Sequence, residues 1–162
     1  MRQNIFLSLW LAIFHPQPKV TPSDLALLTG EKWQGTLTYL DYTSNTKETI
    51  LADLTVAVDK KDKNIWYFKQ EYPKEPHANS IDTLVIARDK HAIDGETVIE
   101  KKRVPSNGKK IITEKLGGDM KYYRYTYLIS NQQFTLIKEE KGQNDDAFFE
   151  RNRYEYKRKP SK

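Results

Sequence analysis

Trp33-Gln-Gly-Thr-Leu-Thr-Tyr-Leu-Asp-Tyr42 decides the fold class. Trp33, Gly35, Leu37, Tyr39 and Asp41 share one face of an extended chain and Gln34, Thr36 and Thr38 the other, which is the two-residue period of a half-buried strand. The period continues through residues 49–58, 65–72, 83–88, 97–104, 110–116, 121–130, 133–141 and 147–158. Turn chemistry separates these segments: Ser44-Asn45, residues 59–64 and 73–79, Asp94-Gly95, Ser106-Asn-Gly108, Gly117-Gly118, Asn131-Gln132 and residues 142–146. Most separators are of hairpin length, and consecutive hairpins make a meander. A meander this long has two unprotected edges unless it closes on itself. The sequence therefore predicts an all-β fold, a closed antiparallel meander β-barrel of about nine or ten strands with a short N-terminal helix. A two-sheet sandwich is the alternative architecture, and no segment offers the helix of a parallel crossover.

The helix is expected in Thr21-Pro-Ser-Asp-Leu-Ala-Leu-Leu-Thr-Gly30, where Thr21 or Ser23 caps, Pro22 suits the first turn and Gly30 takes the left-handed stop. Leu25, Leu27 and Leu28 would pack it onto the strands. Upstream, Arg2 precedes the apolar run Ile5-Phe-Leu-Ser-Leu-Trp-Leu-Ala-Ile-Phe14, which has the length of a signal-peptide core and is too short to span a bilayer. Residues 1–20 are thus expected to be a signal peptide and residues 21–162 one domain, exported to the periplasm or the extracellular space of a bacterial-type cell. A buried or interfacial helix is the other reading of this run. His15-Pro-Gln-Pro-Lys-Val20 contains no small-x-small site, so the cleavage position stays open.

Length and composition agree with one folded unit: 162 residues suit a single core, and ten Tyr, six Phe and three Trp supply large side chains to fill it or to line a cavity. The 27 basic residues exceed the 22 acidic ones, for a net charge of +5. The excess is densest in Arg151-Asn-Arg-Tyr-Glu-Tyr-Lys-Arg-Lys159, which reads as a last strand with a solvated basic face, and no nucleic-acid-binding motif accompanies it. With no cysteine, disulfides and thiol chemistry are excluded.

The stretch Leu28-Thr-Gly-Glu-Lys-Trp-Gln-Gly-Thr-Leu-Thr-Tyr-Leu-Asp-Tyr42 resembles the opening of a calycin, the superfamily of lipocalins and fatty-acid-binding proteins. In that group a helical turn leads through a Gly and a Trp into the first strand, and an Arg or Lys near the end of the last strand packs across the Trp. Gly30 and Trp33 match, with the spacing Gly-x-x-Trp in place of Gly-x-Trp. Arg151 and Arg153 are the matching last-strand cations, so the resemblance implies a structural plug of Trp33 with Arg151 and Arg153. A fatty-acid-type clamp would need Arg-x-Tyr on the last strand, whereas Arg153 and Tyr154 are adjacent and fall on opposite faces.

If Trp33 points inward, alternation places Tyr39 and Asp41 inside, together with Ile50, Ala52, Leu54, Val56 and Val58 on the second strand and Trp66, Phe68, Gln70 and Tyr72 on the third. Along Lys121-Tyr-Tyr-Arg-Tyr-Thr-Tyr-Leu-Ile-Ser130, the face of Tyr123, Tyr125, Tyr127 and Ile129 is the more apolar and is expected to face in. The candidate ligand-binding residues are Tyr39, Asp41, Trp66, Phe68, Tyr125, Tyr127 and Tyr154, with Glu150 as a further acid. The same aromatics are equally consistent with a filled core. His15, His77 and His91 lack metal-ligand spacing, and hydrolase, nucleotide and dinucleotide motifs are missing, so no metal, cofactor or catalytic residue is assigned. The leading functional expectation is an exported, lipocalin-like binding protein for a small hydrophobic or amphipathic molecule, with no nucleic-acid partner and no stable membrane span. The alternatives are an interaction domain acting through the surface of a filled barrel and a barrel lyase or isomerase.

Overall fold

The computed structural model describes residues 16–159 of the chain. The apolar run at residues 5–14 and its flanking Arg2 lie outside them. Ten antiparallel strands form one sheet: β1 (Trp33–Asp41), β2 (Thr46–Val58), β3 (Ile65–Glu71), β4 (Ser80–Val85), β5 (Ala92–Ile93), β6 (Glu96–Val104), β7 (Gly108–Leu116), β8 (Tyr122–Ile129), β9 (Gln133–Lys141) and β10 (Phe149–Arg158). Sequence neighbours pair throughout, and the first strand pairs with the last, Trp33 opposite Arg158 and Tyr39 opposite Asn152. The outermost strands, β4 and β5, meet in a hairpin that draws the sheet into a nearly closed barrel. There Ile86 bridges Ile93, and the Ala87 and Asp94 amides donate to the Ala92 and Val85 carbonyls, each at 2.9 Å.

The expected barrel is therefore present, with one refinement. The segment expected as a strand at residues 83–88 is shifted: β4 begins at Ser80, and the chain turns back at Asp89-Lys90 to give the two-residue β5. So short a strand carries no visible alternation. The next turn, Asp94-Gly95, has positive φ at both residues (53° and 75°), the geometry of a two-residue hairpin loop.

The inward faces follow the alternation. Trp33 and Leu37 of β1, Ala52, Leu54 and Val56 of β2, Trp66, Phe68 and Gln70 of β3, and Tyr127 and Ile129 of β8 are all buried. The helix α1 (Pro22–Leu25) starts where expected, with the Asp24 carboxylate accepting from the Thr21 amide at 2.8 Å. A 3-10 turn (Ala26–Leu28) follows, and Gly30 takes the left-handed conformation at φ 96°. Leu25 and Leu28 are fully buried and Leu27 packs against the core.

These elements seal one end of the barrel around Trp33. Its indole N–H donates to the Leu28 carbonyl at 2.9 Å, Phe134 meets its ring edge-on at 6.4 Å, and the Arg158 guanidinium lies 4.3 Å from the ring centroid. Arg158 also donates to the carbonyls of Asn131 and Leu27, tying the β8–β9 turn and the N-terminal turn to the same point. The cation over Trp33 is thus Arg158, not Arg151 or Arg153. The β1–β10 register sets Arg158 opposite Trp33 and carries the other two about 15 to 25 Å up the strand, at ~3.3 Å per residue. Arg153 instead pairs with Glu150, and Arg151 with Glu140.

A second fastening holds α1 to β6 and β7. Asp24 is buried and accepts from Lys101 and Lys109, each at 2.9 Å. Burial alone would raise its pKa, but the hydrogen bonds from Lys109, the Thr21 amide and Lys101 outweigh it and bring the value down to about 2. Packing reaches still further back: Val20 is fully buried and donates its amide to the Lys90 carbonyl at 2.8 Å, and His91 Nδ1 donates to the Pro18 carbonyl at 3.1 Å.

Truncating Trp33 to Ala is expected to cost about 3 to 5 kcal/mol, the range for a large buried aromatic, read as a lower urea midpoint. An unchanged midpoint would remove Trp33 from the core. The lowered pKa of Asp24 contributes stability that is complete above about pH 4 and is lost as pH falls toward about 2. Asp24→Asn should therefore be less stable than the wild type by about 2 kcal/mol or more at pH 6, with the gap shrinking at pH 2. A gap that is the same at both values would contradict the assignment.

Candidate functional site

An aromatic column rises from the sealed end. Phe134 stacks on Tyr156 at 5.9 Å and Tyr156 on Tyr154 at 5.8 Å, while Phe68 tilts against Phe134 at 6.4 Å. The column ends in a polar crossbar: the Tyr154 and Tyr72 hydroxyls lie 3.1 Å apart, the Tyr72 hydroxyl donates to Gln70 Oε1 at 2.7 Å, and Gln70 Nε2 donates to Asp82 at 3.2 Å. Burial pushes the Tyr154 and Tyr156 phenols well above their ordinary pKa and Tyr125 up to about 12, so all three stay neutral at physiological pH. Below the crossbar the barrel is filled by its own side chains.

Beyond it the interior turns polar. Glu96 is buried and accepts from the Thr113 hydroxyl at 2.7 Å and from Lys115 at 3.0 Å; burial raises its pKa, and these two partners offset part of the rise. Glu140 is 1% exposed and is held by Lys121 and Arg151, each at 2.9 Å. Arg151 reaches Glu140 because β10 carries a bulge between Glu150 and Asn152, which breaks the alternation that would otherwise set it on the outward face of Arg153. Lys138 is half-buried between the rings of Tyr123 (5.2 Å) and Tyr125 (5.5 Å). Burial, and then the charge of Arg151, lower its pKa.

Two recesses open in this half. The larger, about 400 Å³, is bordered by Leu37, Tyr39, Ile50, Tyr72, Arg151 and Asn152 among others. The smaller, about 160 Å³, lies between Phe68, Gln70, Leu84, Asp94, Tyr125, Tyr127 and Leu136, beside Asp82 and Thr83 of β4. Of the expected ligand residues, Tyr39 borders the first recess and Phe68, Tyr125 and Tyr127 the second, while Tyr154 stands in the column with its hydroxyl in the crossbar.

Two expected residues lie elsewhere. Trp66 is core, its indole N–H donating to the Lys63 carbonyl at 3.1 Å. Asp41 closes the β1–β2 turn, accepting from the Thr43 amide and the Ser44 hydroxyl at 2.8 Å each, which hold its pKa down; a local turn partner wins over the inward position that alternation implies. Glu150 pairs with Arg153 and Lys47. Lys138, Glu140 and Glu96 are not among the residues expected from the sequence. The first two were legible, because Phe134, Leu136, Lys138 and Glu140 alternate along one strand and share its inward face.

Among the described residues no group of side chains is arranged to hold a metal ion, and no helix is long and apolar enough to cross a membrane. No protein-family model and no curated protein matches the chain. Solved structures do. The S-type phycobiliprotein lyase CPES from Guillardia theta superposes with a TM-score of 0.50 at 10% identity, covering 85% of this chain and 92% of that one. A protein of unknown function of the DUF3598 family from Nostoc punctiforme gives a TM-score of 0.45 at 10% identity over 90% of this chain, which spans about half (53%) of that one. The likeness to the Guillardia theta protein is one of fold alone.

Proposed function

We propose that this chain is an exported barrel that binds a small hydrophobic or amphipathic molecule in its open half. The observation that carries the reading is the division of the interior: side chains pack closely around Trp33, and beside the Tyr72–Tyr154 crossbar recesses of about 400 and 160 Å³ remain between tyrosines and charged groups. The larger lies in the usual range of small-molecule pockets, ~300 to 1,000 Å³. The Guillardia theta protein is a lyase; a lyase or isomerase is the second reading here. It is favoured by Asp94, whose carboxyl borders the smaller recess with its pKa pushed up by burial, the condition of a general acid.

Native mass spectrometry of the protein purified from its own cells should show a discrete small-molecule adduct. Leu136→Trp, which fills the smaller recess, should reduce it while leaving the circular dichroism spectrum unchanged. Adduct-free protein that also fails to bind any of a panel of amphipathic probes would end the binding reading.

Export rests on Arg2 and the apolar run at residues 5–14. Because packing reaches back to Pro18, a cut that keeps the fold intact falls before that residue. Cell fractionation with N-terminal sequencing should find the chain outside the cytoplasm, starting between residues 15 and 18. Full-length protein confined to the cytoplasm would refute export.

A further inference from the structure

We infer that the molecule bound in the open half is a small monocarboxylate and that Lys138 receives its charge. The inference rests on the binding reading above and adds the chemistry of the ligand. Three of the four cations lining this half have carboxylate partners: Lys115 pairs with Glu96, and Lys121 and Arg151 share Glu140. Lys138 has none within ion-pair distance among the described residues; its ammonium faces the rings of Tyr123 and Tyr125 instead. The two acids bordering the smaller recess are engaged as well: Asp94 accepts from the Val85 amide at 2.6 Å and Asp82 from Gln70 Nε2 at 3.2 Å. A half-buried ammonium without an anion is the arrangement in which an incoming carboxylate gains a charge-assisted hydrogen bond with little competition from water.

Register ties this charge to an apolar space. Leu136 and Lys138 follow each other on the inward face of β9, about 7 Å apart. Leu136 borders the 160 Å³ recess, and Tyr125 does so too while presenting its ring to the Lys138 ammonium. A carboxylate on Lys138 therefore places the group it carries among Phe68, Leu84, Tyr127 and Leu136. An apolar cavity of ~150 Å³ accommodates a benzene-sized molecule, so one ring or a short alkyl chain fits. Lys138 supplies the one positive charge here without an ion-pair partner among the described residues, and a monoanion is the ligand charge that matches it.

Calorimetric titration of the full chain with 3-phenylpropionate and with the matched alcohol 3-phenylpropan-1-ol tests this. The carboxylate should bind the wild type about tenfold more tightly, the size of one hydrogen bond to a charged group. Lys138→Met should abolish that preference while leaving alcohol binding in place, and Lys138→Arg should keep it. Equal binding of the two ligands by the wild type, a comparison that needs no variant, would overturn the carboxylate inference and leave the binding reading standing. So would a tenfold preference that survives in Lys138→Met. Failure of the wild type to bind either probe would count against both.

Discussion

Trp33, clamped between the Arg158 guanidinium and the edge of Phe134 with its N–H on the Leu28 carbonyl, is the contact on which the rest of the barrel depends. It joins the first strand to the last, the ninth strand to both, and the N-terminal turn to all three. Cation–π contact over a desolvated indole contributes about 0.5 to 2 kcal/mol, but its larger effect is geometric. Arg158 stands opposite Trp33 only in one β1–β10 register, and a slip of one residue would turn every inward side chain of one of these strands outward. Arg158 also spans from Asn131 to Leu27, so register, turn and helix are set together.

With one end sealed by apolar packing, the charged side chains of the interior gather toward the other. Glu96 and Glu140 are as buried as the core leucines, and each is tolerated because two hydrogen-bonding partners meet it. Replacing such pairs by hydrophobic residues is often neutral or stabilising, so stability alone does not account for them. What they do account for is polarity: they hold Lys115, Lys121 and Arg151 in defined places and leave Lys138 without an ion-pair partner among the described residues.

How far this was legible in the sequence depends on whether a residue obeys the alternation of its own strand. Trp33, Leu37, Phe68, Tyr125 and Tyr127 do, and their inward placement followed from period two alone. Arg158 could not be chosen over Arg151 and Arg153 without the pairing register, which no single strand contains. Arg151 was hidden by the bulge, Asp41 by the stronger pull of its own turn, and β5 by being only two residues long. The recesses were invisible for another reason: a cavity is a difference between the volume a sheet encloses and the volume its side chains fill, and the sequence states only the second.

That difference has a topological origin. Among the described residues the sheet is joined across its last gap around Ile86 and Ile93, because β5 ends after two residues and β6 turns away to pair with β7. The outward edge of β4 from Ser80 to Leu84 is therefore without a ladder partner among the described residues, and the smaller recess lies beside it, bordered by Asp82, Thr83 and Leu84. A β5 of ordinary length would bring a further inward row of side chains across Phe68 and Leu136 and fill that space. The Asp94-Gly95 turn that cuts β5 short also places Asp94 at the seam, where its carboxylate holds the Val85 amide that a ladder would otherwise have paired. One tight hairpin thus closes the barrel around Ile86 and Ile93 and leaves it open enough to keep an unfilled pocket between Phe68, Tyr125 and Leu136.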